Sequence, residues 1–275
     1  MRLQHSLRLG VATLAMTAAL GAASALTVGA APSPSPSASA TAGSDPSSPT
    51  PTATTAPSSS ASPSATPTPG ACSGSVAARL ACIRQRATTA VNDRESALRE
   101  LAGDVNSSVA ITAGDRATLL GQIDSDESGL ETLLGTIDSD TTVAKALADT
   151  ETIVTGYRVY VLETPKVHLV IAADTEGSVE HLIQSVLPAV QAAIDASSSP
   201  NKAAAQAAFN DCSNQLAAAE SASSGIVAEV IDLQPSGYPG NQPTLEAAAG
   251  SAQTARKDIG ACYTDLNTIR KDLGA

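Results

Sequence analysis

From residue 72 onward, apolar residues recur at alternating steps of three and four. That spacing places side chains on one face of an α-helix. The first such segment runs through Val76, Leu80, Ile83, Ala87, Val91, Arg94, Leu98 and Leu101. The second opens at Thr112, three residues before Asp115, in an acidic form of the capping box, and continues through Leu120, Ile123, Glu127, Leu130, Leu134 and Ile137. The third follows a cap at Asp140 and uses Val143, Leu147, Thr150, Val154, Tyr157 and Val161. Thr164-Pro165 opens the fourth, with Thr as cap and Pro at the first helical position; its seam is Val167, Ile171, Asp174, Ser178, Leu182, Ser185 and Ala189. The fifth carries Phe209, Cys212, Leu216, Ala219, Ser223, Ile226, Val230 and Leu233. The sixth carries Leu245, Ala248, Ala252, Ala255, Ile259, Cys262, Leu266, Ile269 and Leu273. The pattern predicts an all-α, antiparallel, coiled-coil-like bundle of about six helices.

Facing residues of an antiparallel hairpin lie equally far from its turn. Cys212 and Cys262, Ala219 and Ala255, and Ile226 and Ala248 are each centred on Gly237, within the turn-forming stretch Pro235–Gly240. Similar matches pair Leu80 with Ile137, Ile123 with Tyr157, and Ile171 with Ile226. Two three-helix groups result, residues 71–163 and 164–275. They meet in Ile153–Ala173, the most apolar run outside the N-terminus. Proline disfavours helix in the residue before it and lacks an N–H, so Thr164-Pro165 is a candidate hinge in one long rod shared by both groups. A tight helical hairpin, or a β-hairpin of Tyr157–Leu162 against Lys166–Ile171, is the alternative.

Residues 1–31 read as a signal peptide: Arg2 and Arg8 precede an apolar stretch that ends in the small residues Val28-Gly29-Ala30. An uncleaved anchor is the other reading. Residues 32–70 are almost entirely Pro, Ser, Thr and Ala and are expected to be a disordered linker or stalk. The chain carries a net charge of −11; loss of Arg2 and Arg8, with no acid removed, takes it to −13. So acidic a chain, with no Trp and one Phe, is poorly suited to nucleic acid or anionic lipid. Ile153–Ala173 is long enough to span a bilayer, but Arg158, Glu163, Lys166 and His168 make that costly, so no transmembrane anchor is expected after signal cleavage.

Four cysteines in an exported chain suggest two disulfides. Cys212 and Cys262 share a level of one hairpin, which leaves Cys72 with Cys82; crossed pairings remain possible on sequence grounds. Arg94, Glu127 and Tyr157 intrude on three seams at one level, which predicts a buried Arg94–Glu127 pair beside the Tyr157 hydroxyl. Asp124-Ser-Asp126-Glu-Ser128-Gly129 starts like a calcium loop, but Gly135 stands where the bidentate Glu belongs, so a solvated helix face is expected. His168 and His181 lack metal-ligand spacing. No catalytic constellation and no cofactor motif is present, so no cofactor is expected.

Tyr157-Arg-Val-Tyr160, Pro165-Lys-Val-His-Leu-Val-Ile-Ala-Ala-Asp174 and the preceding Ile137-Asp-Ser-Asp-Thr-Thr142 resemble segments of Ala-rich secreted proteins of actinobacteria that have no known activity. The resemblance covers residues 110–175 and implies export and a helical build. The expected function is a secreted or cell-wall-associated helical module on a stalk, with a non-catalytic binding or structural role and an envelope partner. A carrier of a small apolar ligand near Pro188, and an extracellular enzyme of unrecognised type, are the alternatives.

Overall fold

The computed structural model describes residues 72–274; the signal peptide and linker expected over residues 1–70 lie outside them. The described chain is all-α: α1 (Val76–Ser107), α2 (Ala113–Ser139), α3 (Val143–Thr155), a π-helical turn (Val159–Glu163), α4 (Thr164–Ala196), α5 (Lys202–Ser223), α6 (Ile226–Val230), a 3-10 turn (Pro235–Gly237) and α7 (Gln242–Leu273). The fifth predicted segment is divided, with α5 ending at Ser223 and α6 restarting after Gly225. No helix among the described residues is long and apolar enough to cross a membrane.

The cap at Thr112 forms as predicted, but α3 is capped by Thr142, whose hydroxyl accepts from the Lys145 N–H at 3.3 Å, while Asp140 closes α2 and Thr164 lies inside α4 behind Glu163. The Thr112 hydroxyl accepts from the Asp115 N–H at 3.1 Å, and Asp174 of α4 accepts from the Thr112 N–H at 3.0 Å. At the other end of that connection, Arg116 donates to the carbonyls of Val105, Asn106 and Ser108, supplying donors to the open end of α1.

α1 packs on α2 and α3, while α4 packs on α5, α6 and α7. The two predicted groups share one core. Leu98, Leu119, Ile123, Leu130 and Ile153 of the first form a continuous apolar cluster with Val167, Val170, Ile226, Val230 and Ala248 of the second. Two smaller clusters continue along the second group, around Ile183, Cys212, Leu216 and Cys262 and around Ile194, Ala205, Ala208 and Ile269.

Three sequence expectations are corrected. On α3, Leu147 and Val154 are 50% and 49% exposed, whereas Ala146 and Ile153 are fully buried. The larger side chains marked the wrong face, because α3 lies close enough to α1 that alanine fits at the contact. On α4, Leu182 is exposed, and the buried face instead carries Lys166, Val170, Ala173, Glu176, Glu180 and Ile183. Thr164 and Pro165 are not a hinge between elements: Thr164 has α-helical dihedrals and begins α4, with Pro165 in its first turn. Neither arm of the alternative β-hairpin is a strand: Val159–Leu162 lies in the π turn and Lys166–Ile171 in α4.

The break between the groups lies earlier. α3 ends at Gly156, where a Cβ would stand 2.8 Å from the Thr152 carbonyl oxygen. Arg158 then takes a left-handed conformation at φ 51°, which costs a non-glycine residue about 1 kcal/mol. The chain re-enters helix through the π turn, where the Thr164 N–H reaches back five residues to the Val159 carbonyl. Pro165 has no N–H and its ring crowds the carbonyl four residues back. The wider turn makes room for it, and the helix continues.

Candidate functional site

The two predicted disulfides are present, Cys72–Cys82 and Cys212–Cys262. Cys212 and Cys262 have Cα atoms 4.0 Å apart, in a seam where Ala205, Ala208, Ala219, Ala248, Ala252 and Ala255 are buried. Small side chains let α5 and α7 approach closely, and the disulfide clamps them. Cys72 packs with Val143 against Leu80, Ile83 and Ala146, fastening the start of the described chain onto α1 and α3.

The predicted polar layer is assembled differently. Arg94 donates to the Ala90 carbonyl at 2.8 Å and holds its guanidinium 5.5 Å from the centre of the exposed Tyr160 ring. The ion pair to Glu127 comes from Arg99 at 3.7 Å, five residues beyond Arg94 and towards solvent. Arg94 is only half-buried, so it reaches water and needs no carboxylate. Tyr157 lies against α2 with its hydroxyl 2.6 Å from where a Cβ of Gly129 would stand. Burial, then the Asp126 carboxylate, raises its ionisation above that of an ordinary tyrosine.

The calcium-like stretch is unbroken helix within α2, so its backbone does not wrap an ion. One of its acids, Asp126, nevertheless belongs to the best-built polar site. Among the described residues Lys166 is the largest fully buried side chain, at 1% exposure. Its Nζ is 2.7 Å from Glu163 Oε2 in an ion pair outside hydrogen-bond geometry, and donates to the Leu233 carbonyl at 3.3 Å. Glu163 is itself buried; desolvation raises its pKa, against the pull of Lys166. Asp126 is pushed up to about 6, first by desolvation and then by the Glu163 carboxylate, with Lys166 opposing.

These groups line a cavity of about 320 Å³ between α2, the start of α4 and the Gln234–Pro235 loop. Thr118, Gln122 and Ser125 supply its remaining polar wall. Gln122 donates Nε2 to the Ile231 carbonyl at 2.9 Å, so it and Lys166 both hold the loop that covers the site. Behind that loop Arg158 stacks 4.9 Å over the ring of Tyr238, whose peptide bond to Pro239 is cis. Glu163 is the last residue of the π turn, so that turn sits beside the buried lysine.

A second cavity of about 340 Å³ lies between α4 and the end of α5, lined by Asp174, Glu180, His181, Gln184, Glu220 and Ser223. Buried Glu180 accepts from the Ser223 hydroxyl at 3.1 Å, and desolvation raises its pKa. Its buried carboxylate already has a partner, which sets it apart from the Lys166 site. His181 stands at the edge of this cavity, and His168 pairs with Asp104 at 3.4 Å in the open. Among the described residues no cluster of three metal-ligating side chains is present.

Sequence reading missed Lys166, Glu163 and Asp126 as a group. The one available signal was their position: charges at 163 and 166 interrupt the most apolar stretch of the folded chain. No protein-family model, curated protein or solved structure matches this chain.

Proposed function

We propose that the protein is an exported, envelope-associated helical module, held on the 32–70 stalk, that acts by binding rather than by catalysis. The observation that carries this reading is the pair of disulfides, which places all four cysteines in bridges of the kind that persist in oxidising compartments. The resemblance of residues 110–175 to secreted actinobacterial proteins points the same way. Fractionating cells that express the full chain tests it. The expected result is a wall-bound or extracellular product that begins near residue 31 and has no free thiol. An intracellular, uncleaved chain that alkylates at four cysteines would overturn it.

The apolar-carrier reading draws no support from Pro188, which is exposed on a continuous α4. Its neighbours Leu187 and Val190 pack into the clusters around Cys212 and Phe209. A catalytic reading has one observation in its favour: a carboxyl titrating near 6 in a cavity with a buried lysine suits acid–base work. A ligand recovered chemically altered after incubation with the full chain, and unaltered with Asp126→Asn, would establish it.

A further inference from the structure

The cavity at Lys166 leaves specific hydrogen-bonding capacity unused. The ammonium has three donors. Glu163 and Leu233 engage it from two sides, and no described residue accepts the third. Gln122 commits its amide N–H to the Ile231 carbonyl, while its Oε1 is buried with no partner. No donor among the described residues reaches the Asp126 carboxylate, and it faces the same space. Two carboxylates share one lysine, so the ionised site carries one net negative charge. A polar network that served only to fix the fold would be expected to satisfy its members internally. Here Lys166 and Asp126 keep hydrogen-bonding capacity to spare, and both line one cavity that admits a small molecule.

We propose that this cavity binds a small ligand bearing a protonated primary amine and an acceptor oxygen three bonds away, as in an amino alcohol or an amino acid. The amine is held by Asp126, and the oxygen accepts from Lys166 Nζ. Thr118 and Ser125 contribute hydroxyls to the wall. The inference rests on the binding reading above, and export plays no part in it.

The test is an NMR titration of the ¹⁵N-labelled full chain with ethanolamine, compared with ethylamine, which lacks the oxygen, and acetate, which lacks the amine. The expected result is saturable shifts at the amides of Gly121, Gln122, Ser125 and Lys166, with ethanolamine binding at least tenfold tighter than either comparator. Asp126→Asn should lose at least tenfold in affinity, and the exposed Asp211→Asn on α5 should lose none. Should Asp126→Asn fail to fold, the wild-type chain gives the same answer through pH. Asp126 is faced by Glu163, Lys166 and Tyr157, and its protonation between about pH 7.5 and pH 5 should weaken ethanolamine several-fold. Absence of saturable shifts at these amides, equal binding of all three probes, or an affinity indifferent to both Asp126→Asn and pH would overturn the proposal. The fractionation result can fail without touching this one, and the reverse.

Discussion

The α5–α7 hairpin and the junction from Gly156 to Lys166 are built on opposite principles. The hairpin buries alanines and a disulfide in regular helix, and each buried position falls where the three–four spacing puts it. The junction buries a lysine and a glutamate, breaks the helix at a left-handed arginine and restarts it through a π turn. Periodic burial serves stability in the first region. In the second, local costs in backbone and desolvation free energy are accepted, and a polar cavity stands beside them. Departures from regularity cluster at functional sites more often than chance allows.

The largest expected effect comes from breaking the junction. Lys166→Met leaves Glu163 buried without its cation and should cost about 3–5 kcal/mol in urea unfolding. The hairpin should respond nearly as strongly, by a different route. Replacing both Cys212 and Cys262 with serine releases a loop with a sequence separation of 50 and should cost about 3–4 kcal/mol. The same change at Cys72 and Cys82, separated by 10, should cost about 1 kcal/mol less.

Most of the hairpin was legible because small and apolar residues carried both the periodicity and the burial. Cys212, Ala219, Ala248 and Ala255 needed no knowledge of their partners to be placed. The junction was not legible because reading by hydropathy sends charges to solvent. On α4 that rule chose Leu182 over Glu180, and the buried face includes Glu176, whose carboxylate is held by Arg256 at 2.7 Å. The same preference for large side chains chose Leu147 and Val154 on α3 over Ala146 and Ile153. Proline drew attention to residue 165, yet the backbone departs from helix at Gly156–Arg158, where no single residue type announces it. Arg94 failed as a predicted partner of Glu127 because its side chain has an open route to water.

A smaller effect separates the regions by pH. Desolvation raises Asp126 to about 6 and Glu176 to about 7, above their unfolded values, so folding takes up protons at these sites. Stability should therefore rise as the pH falls from about 8 towards 5, by about 1–2 kcal/mol in total once solvent screening is allowed for. Thermal melting across that range measures it, and Glu176→Gln should flatten the upper part of the curve. Smallest of all are two glycine changes on helix faces. Gly129→Ala forces the Tyr157 ring to move and should cost about 1 kcal/mol. Gly250→Ala on α7 meets nothing and should gain about 0.5–1 kcal/mol.

The central claim is that Lys166 and Glu163 form a coupled, buried ion pair at the heart of the junction. A double-mutant cycle of Lys166→Met and Glu163→Gln, followed by urea unfolding, tests it most directly. The account predicts a coupling of about 2–3 kcal/mol, with the double variant more stable than Lys166→Met alone. Additive single effects, with coupling near zero, would contradict it.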